Sequence, residues 1–378
     1  MPHYYFDHNA TTPIAPESLE AMTLCLGQVY GNASSIHYFG QLAKQRLEAA
    51  RRQVAALIGC DAKELVFTSG GTESDNLAIM GVVRAAIGQR HVITSAIEHP
   101  AVLGPCTQLE REGVDVTRVR IGASGILDPD DIRQALRPET VLISIMHANN
   151  ELGTIQPIDE IAAVAREAGI PLHVDGVQAL GKIPVNVREL GVDLYSVSAH
   201  KICAPKGVGA LYVRKSVKLA GVTFGGQHER GRRPGTENVP AIAGFGAAAE
   251  LAARTLPESY LRDRLEGAVL ERIPGTRVNG SRAQRTPNTT NIQFDGVDGE
   301  AMVIALDLRG FAVSTGSACS SGAVTPSHVL TAIGLSADSA RSSIRFSLGA
   351  SNTQEQVDEL VAAIEASVAH LRRISVHA

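Results

Sequence analysis

Tryptophan is absent from this 378-residue chain, aromatic residues make up only 4%, and no apolar run is long enough to span a bilayer. The longest such stretch, Ala241 to Ala253, is interrupted by Glu250. The start, Met1-Pro-His-Tyr-Tyr-Phe-Asp7, has no basic segment ahead of an apolar one, so a secretory leader is not expected. Cysteine is scarce. The five residues Cys25, Cys60, Cys106, Cys203 and Cys319 are odd in number, widely spaced and form no CxxC pair, which argues against a disulfide framework, a structural zinc site or any other metal site. Net charge is -4, with 35 Lys and Arg against 39 Asp and Glu. There is no basic stripe for nucleic acid and no acidic tail. With 44% hydrophobic and 20% charged residues the composition is that of a globular, cytoplasmic chain, large enough for one large and one smaller domain.

Short apolar runs at 65–68, 91–94, 116–119, 141–145, 172–174, 194–197 and 210–213 alternate with helix-length segments. Strands this apolar predict a mostly parallel seven-stranded sheet covered by helices on both faces, an α/β architecture. Helical spacing marks 16–27 and 40–58, where Leu47, Ala50, Val54 and Leu57 trace one face. Gly207-Val-Gly209 suggests an adjacent strand or a tight return. After Pro240 the pattern turns to helices near 241–254, 257–272, 298–309 and 352–372, mixed with strands near 276–279, 289–294 and 343–347. The expected division is a large domain over residues 15–250 and a smaller α+β domain built from 1–14 and 251–378. In such sheets the ligand lies beyond the carboxyl ends of the strands.

The candidate functional residues sit at those ends. Ser196-Val-Ser-Ala-His-Lys201 follows an apolar run and sets a lysine amine beside a serine and a histidine, the set needed for imine chemistry on pyridoxal 5'-phosphate (PLP). Thr68-Ser-Gly-Gly-Thr-Glu-Ser-Asp-Asn76 follows a strand and opens a helix, so its N-terminus and the Thr72 hydroxyl offer donors to a phosphate; an ordinary capping turn gives the same pattern. Asp175, in His173-Val-Asp175-Gly-Val-Gln178, suits a protonated pyridine nitrogen, and Gln178 the ring hydroxyl, with a helix N-cap the plainer role for Asp175. His99, in Ala96-Ile-Glu-His99-Pro-Ala, suits stacking and proton transfer. Asn149, in Asn149-Asn-Glu-Leu-Gly-Thr154, suits the cofactor hydroxyl or a substrate carboxylate, or else a turn.

The strings SGGTESDN, EHPAV, NNELGT, VDGVQ, SAHK and KGVGALYV, in this order, resemble a fold-type I PLP enzyme, and more narrowly the cysteine desulfurases of the class V aminotransferase group. Tyr5-Phe-Asp7-His-Asn-Ala-Thr-Thr-Pro13 fits too, and the likeness runs from about residue 4 to about residue 372. The resemblance implies Lys201 as the Schiff-base lysine, Asp175 at the pyridine nitrogen and Gln178 at the ring oxygen. It places Thr72, Ser198 and His200 on the phosphate with the Gly71 backbone, and His99 on the ring. Thr236, in Gly231-Arg-Arg-Pro-Gly-Thr236-Glu-Asn238, would reach the phosphate of a neighbouring subunit, implying a homodimer. Arg345 would clamp the substrate carboxylate, a task suited to a bidentate guanidinium.

Cys319, in Thr315-Gly-Ser-Ala-Cys-Ser-Ser-Gly-Ala323, then stands as the sulfur-accepting nucleophile, converting L-cysteine to L-alanine and carrying a persulfide. The implied acceptor is a protein, an iron–sulfur scaffold or a thiolation enzyme, with no direct role for nucleic acid or membrane. A selenocysteine lyase and a plain aminotransferase remain open on the same scaffold, as does an idle sulfur-network scaffold protein. Cys203 is expected to be a packing thiol. Thr223 to Arg230 is expected to help wall the site, with no role assigned to His228.

Overall fold

The computed structural model describes residues 3–316 and 326–375. Its strands are β1 (Tyr4–Tyr5), β2 (Leu65–Thr68), β3 (His91–Ser95), β4 (Asp115–Val119), β5 (Thr140–Met146), β6 (Leu172–Asp175), β7 (Leu194–Ser198), β8 (Gly209–Val213), β9 (Thr276–Val278), β10 (Thr289–Phe294), β11 (Phe311–Ala312) and β12 (Ser343–Ser347). Its helices are α1 (Pro16–Gln28), α2 (Tyr38–Ile58), α3 (Gly71–Ala85), α4 (Pro100–Arg111), α5 (Pro129–Ala135), α6 (Ile158–Ala168), α7 (Val239–Arg254), α8 (Tyr260–Arg272), α9 (Gly299–Asp307), α10 (His328–Ala332), α11 (Ala337–Arg341) and α12 (Gln354–Ser375).

The seven-stranded sheet has the order β2-β8-β7-β6-β5-β3-β4. Its pairs from β4 through β7 are parallel, and β8 is antiparallel to both β7 and β2. The Gly207-Val-Gly209 segment is therefore the tight return that brings β8 back beside β7. Strands β2, β3, β5, β6 and β7 all end at the same edge. Side chains alternate between two apolar layers along each strand. Leu65, Phe67, Ile93, Ile143 and Tyr195 pack with Leu47, Val54 and Phe245, whereas Val66, Val92, Leu142 and Leu194 pack with Leu77, Val83 and Val102. Burial on both faces is what the near-continuous apolar runs demand.

A separate apolar cluster joins Phe6, Leu265, Ile292, Phe294, Phe346 and Leu360. It underlies the antiparallel sheet β12-β10-β9, and β1 pairs in parallel with β11. The chain's start thus packs with its last third. The helix expected from residue 257 begins at Tyr260.

The start of the chain also crosses to the large sheet. Thr12 donates its N–H (3.1 Å) and hydroxyl (2.8 Å) to the His200 carbonyl, and Ala15 N donates to the Cys203 carbonyl at 2.8 Å. Cys203 takes a left-handed backbone (φ 63°), and its N–H donates to Thr12 Oγ1 at 2.8 Å. The segment before α7 is pinned from beneath. Glu229 accepts two hydrogen bonds from Arg51 (2.7 and 2.6 Å) and one from Phe67 N (2.8 Å), with both charged side chains buried. Paired and bidentate, the two charges satisfy each other where either alone would be costly. Among the described residues, no helix is long and apolar enough to cross a membrane.

Candidate active site

Five strand ends deliver the candidate residues to one edge of the sheet: Gly71 and Thr72 after β2, His99 after β3, Asn149 after β5, Asp175 and Gln178 at and after β6, and Ser198 to Lys201 at and after β7. Lys201 turns out of β7 in a short 3-10 turn, and its ammonium donates to the backbone carbonyls of Asn9 and of Ala10, the latter at 2.8 Å. Asn9 is the hub of the site. Its carbonyl also accepts from Gln178 Nε2 at 2.9 Å, and its Oδ1 accepts from Lys182 Nζ at 2.8 Å and Asn288 Nδ2 at 3.2 Å. Its Nδ2 donates to Asn150 O at 3.1 Å and Thr289 Oγ1 at 2.9 Å. Lys182, buried, also donates to Gln178 Oε1.

Three carboxyls lie buried beneath this edge. Asp175 accepts from Val177 N at 3.0 Å, and burial pushes its pKa up to about 7, with Asp75 adding to the rise and His99 opposing it. Burial likewise pushes Asp75 up to about 7 and Glu98 up to about 8. One oxygen each of Asp75 and Glu98 has no hydrogen-bond partner. His173, held near 4 by burial, lies between Ser144 Oγ (2.8 Å) and Ser196 Oγ (2.9 Å), 3.5 Å from Asp75. A buried carboxyl at the end of β6, set to meet a cation, is the chemistry a pyridine nitrogen requires.

The sign of that shift has a measurable consequence. In the cofactor-free protein the raised pKa means that folding favours the protonated Asp175 carboxyl. Its stabilising contribution is complete below the unfolded value of about 4 and is lost as pH rises through about 7. Asp175→Asn removes that loss. The melting temperature of the variant is expected to gain on the parent between about pH 4 and about pH 7; an offset independent of pH across that window contradicts the assignment.

His99 caps α4: its Nδ1 accepts from Ala101 N at 3.1 Å, which assigns the ring proton to Nε2. Burial lowers its pKa, with Lys201 and His328 adding to the fall and Asp175 opposing it, so the ring is neutral near pH 7. His99 and Thr72 line opposite walls of a cleft of about 370 Å³ between α3 and α4. At the N-terminus of α3 the backbone comes close to β7 and β8. A side chain on Gly71 would sit 2.8 Å from Val177 Cγ2, and one on Gly209 would sit 2.7 Å from the Gly70 backbone. That close approach sets the first-turn N–H groups of α3, which have no intrahelical acceptor, beside Ser198. His200 Nδ1 meets Thr11 Oγ1 at 3.2 Å, and burial followed by Lys201, Lys206 and Lys182 lowers its pKa to about 4.

Arg345, on β12, is buried and donates to Asp7 Oδ1 at 2.6 Å and Asn150 O at 3.0 Å, while its Nε has no partner. Asn149 serves the turn. Its Oδ1 accepts from Glu151 N and Leu152 N, both at 2.9 Å, and its Nδ2 donates to Ile97 O at 3.1 Å. Thr236 is exposed, three residues beyond Arg233, which pairs with Glu73 in the first turn of α3 at 2.8 Å. Cys319 lies outside the described residues. The flanks of its stretch are held at the site: Ser314 bridges Arg345, and Ser327 Oγ donates to buried Glu151 at 2.6 Å.

Comparisons with known proteins place the chain in a family. The aminotransferase class-V family pattern matches residues 4–360. The chain belongs to the class-V aminotransferase family. Within it, the chain is 48% identical over 376 residues to a protein named cysteine desulfurase from Trichormus azollae, covering 98% of this chain and 94% of that one. A solved NifS-like protein superposes with a TM-score of 0.91 at 36% identity, covering 97% of this chain and all of the other. A second, SspA in complex with cysteine, has a TM-score of 0.82 at 39% identity over 91% of this chain and 98% of its own. The fold is accordingly the fold-type I architecture expected of a class-V aminotransferase.

Sequence reading missed Asn9, Lys182, Asp7 and Glu151 as parts of this class-V aminotransferase site. Asp7, Asn9 and Glu151 stood inside motifs already singled out. Lys182 followed Gln178 by four residues, one helical turn, the only signal that pointed to it.

Proposed function

We propose that the chain is a PLP-dependent cysteine desulfurase, a sulfurtransferase that converts L-cysteine to L-alanine and places the sulfur on Cys319. The observation that carries the reading is that Lys201, Asp175 and His99 meet on one sheet edge, which Arg345 of β12 reaches through the Asn150 carbonyl, in a chain nearly half identical to a named cysteine desulfurase.

The site fits the cofactor. The open first turn at Gly71 and Thr72, with Ser198 and His200, would hold the phosphate, and Thr236 of a second subunit would complete it in a homodimer. Asp175 would meet the pyridine nitrogen, Gln178 the ring oxygen, His99 the ring face and Lys201 the aldehyde carbon. When bound, PLP supplies a ring that takes up the charge left as the substrate's α-proton departs.

The chain's own groups do the rest. Arg345 offers its unpartnered Nε and, on release from Asp7, a second N–H to the substrate carboxylate. The Lys201 amine removes the α-proton. The Cys319 thiolate attacks the substrate sulfur: an S–S bond forms as the substrate Cβ–S bond breaks, and the carbon that sulfur leaves is protonated. Lys201 and neutral His99, with its proton on Nε2, carry the protons. L-Alanine departs, and Cys319 retains a persulfide for a protein acceptor of iron–sulfur cluster assembly or thiolation. Free thiols at Cys25, Cys60, Cys106 and Cys203 support a reducing, cytoplasmic setting.

With PLP, L-cysteine and a thiol reductant, the purified protein is expected to release alanine and sulfide in equal amounts without a keto acid. Alanine formation that requires a keto-acid partner contradicts the desulfurase reading.

A further inference from the structure

Lys182 is a second lysine at the cofactor edge, one turn after Gln178, and no step above uses it. Its amine is fully enclosed. It donates to Gln178 Oε1 and, at 2.8 Å, to Asn9 Oδ1. A buried lysine is costly unless its hydrogen bonds do something a smaller apolar group does not. Here they decide the orientation of an amide. A glutamine side chain has an acceptor end and a donor end, and either can face a ligand. With Oε1 turned to Lys182, the NH₂ end faces the other way. One N–H goes to the Asn9 carbonyl at 2.9 Å, which leaves the other free. The same Asn9 carbonyl accepts from Lys201, so the three side chains are fixed relative to one another through a single residue.

We propose that Lys182 is a positioning residue that locks Gln178 with its N–H toward the cofactor, so that the ring oxygen is met by a hydrogen-bond donor and held as the phenolate. The proposal rests on the PLP reading above. The groups around the Lys182 amine agree with it. The cations Lys201 and Arg345 face it, and burial followed by Lys201 and Arg345 lowers its pKa well below the usual lysine value. Asn9 Oδ1 and Gln178 Oε1 are the two acceptors its N–H groups meet.

The test uses the full-length protein loaded with PLP. Borohydride reduction of the loaded parent, followed by peptide mapping, is to label Lys201; a parent that takes up no PLP overturns the cofactor reading, and this proposal with it. In Lys182→Met, loss of the donor raises the basicity of the ring oxygen. The pH midpoint of the visible absorbance of the lysine-bound cofactor is then expected to move up, and the dissociation constant for PLP to rise about 10- to 100-fold, the size of one hydrogen bond to a charged oxygen. Gln178→Leu is expected to shift the midpoint by the same amount, and Lys182→Met in the Gln178→Leu background to add nothing further. A Lys182→Met protein that melts lower but keeps the parent's absorbance midpoint shows a structural role only and overturns the proposal. So does an additive double variant, which would mean that Lys182 acts without Gln178. Should Lys182→Met not fold, Lys182→Gln replaces it, offering Gln178 an acceptor as well as a donor so that the amide is no longer held one way: a raised midpoint supports the proposal, and an unchanged one overturns it.

Discussion

Replacing Lys201 with alanine abolishes the visible absorbance of the lysine-bound cofactor and lowers alanine formation from L-cysteine by at least about 10⁴-fold. Two functions disappear together: the covalent anchor, and the base that takes the α-proton. Proton transfer by a positioned group alone is worth about 10²- to 10⁴-fold. The position leaves no substitute. Lys201 is presented by the turn after β7, with Asn9 and Ala10 carbonyls receiving its amine in the cofactor-free state. The nearby Lys182 amine is committed to Asn9 and Gln178. The substitution removes a donor to the Asn9 and Ala10 carbonyls, which remain in place. Absorbance spectra and an alanine assay on the same preparation check the two losses. A Lys201→Ala protein that still turns over L-cysteine contradicts the assignment.

Cys319→Ala separates sulfur transfer from everything before it. The variant is expected to retain PLP, to change its absorbance on addition of L-cysteine as the parent does, and to form alanine at least about 10³-fold more slowly. In the proposed mechanism binding and proton abstraction rest on Arg345, Lys201, His99 and Asp175, all of which the variant retains. Only the attack on the substrate sulfur needs the thiolate. Stopped-flow absorbance and an alanine assay read the two halves separately. Unchanged alanine release by the variant contradicts the nucleophile assignment.

The large sheet was legible because most of its strands are short apolar runs and five of them end in a motif. Period-two burial on both faces of β2, β3, β5 and β7 follows from having helices on both sides. The small sheet was legible in outline, but not the parallel pairing of β1 with β11, since two-residue strands carry no period. Within the proposed site, the roles of Lys201, Asp175 and His99 came from the ordered motifs and the resemblance they carry, since local context alone also fitted a helix cap for Asp175. Asn9 was not legible, because its importance arises from partners 141 to 338 residues away. Lys182 carried no sequence signal beyond its spacing from Gln178; only the folded chain shows it buried. Asn149 had two readings, and the structure shows the turn-forming one, with both backbone donors of the turn on its Oδ1. For Arg345 the sequence pointed to a carboxylate partner, and the structure supplies one from the protein itself, Asp7, leaving Nε unpartnered.

The central claim is that sulfur passes from L-cysteine to Cys319. Mass spectrometry of the Cys319 peptide, after the PLP-loaded protein is mixed with L-cysteine, tests it most directly. The account predicts the gain of one sulfur atom on Cys319, reversed by a thiol reductant and matched by released alanine. Alanine released while Cys319 stays unmodified contradicts it.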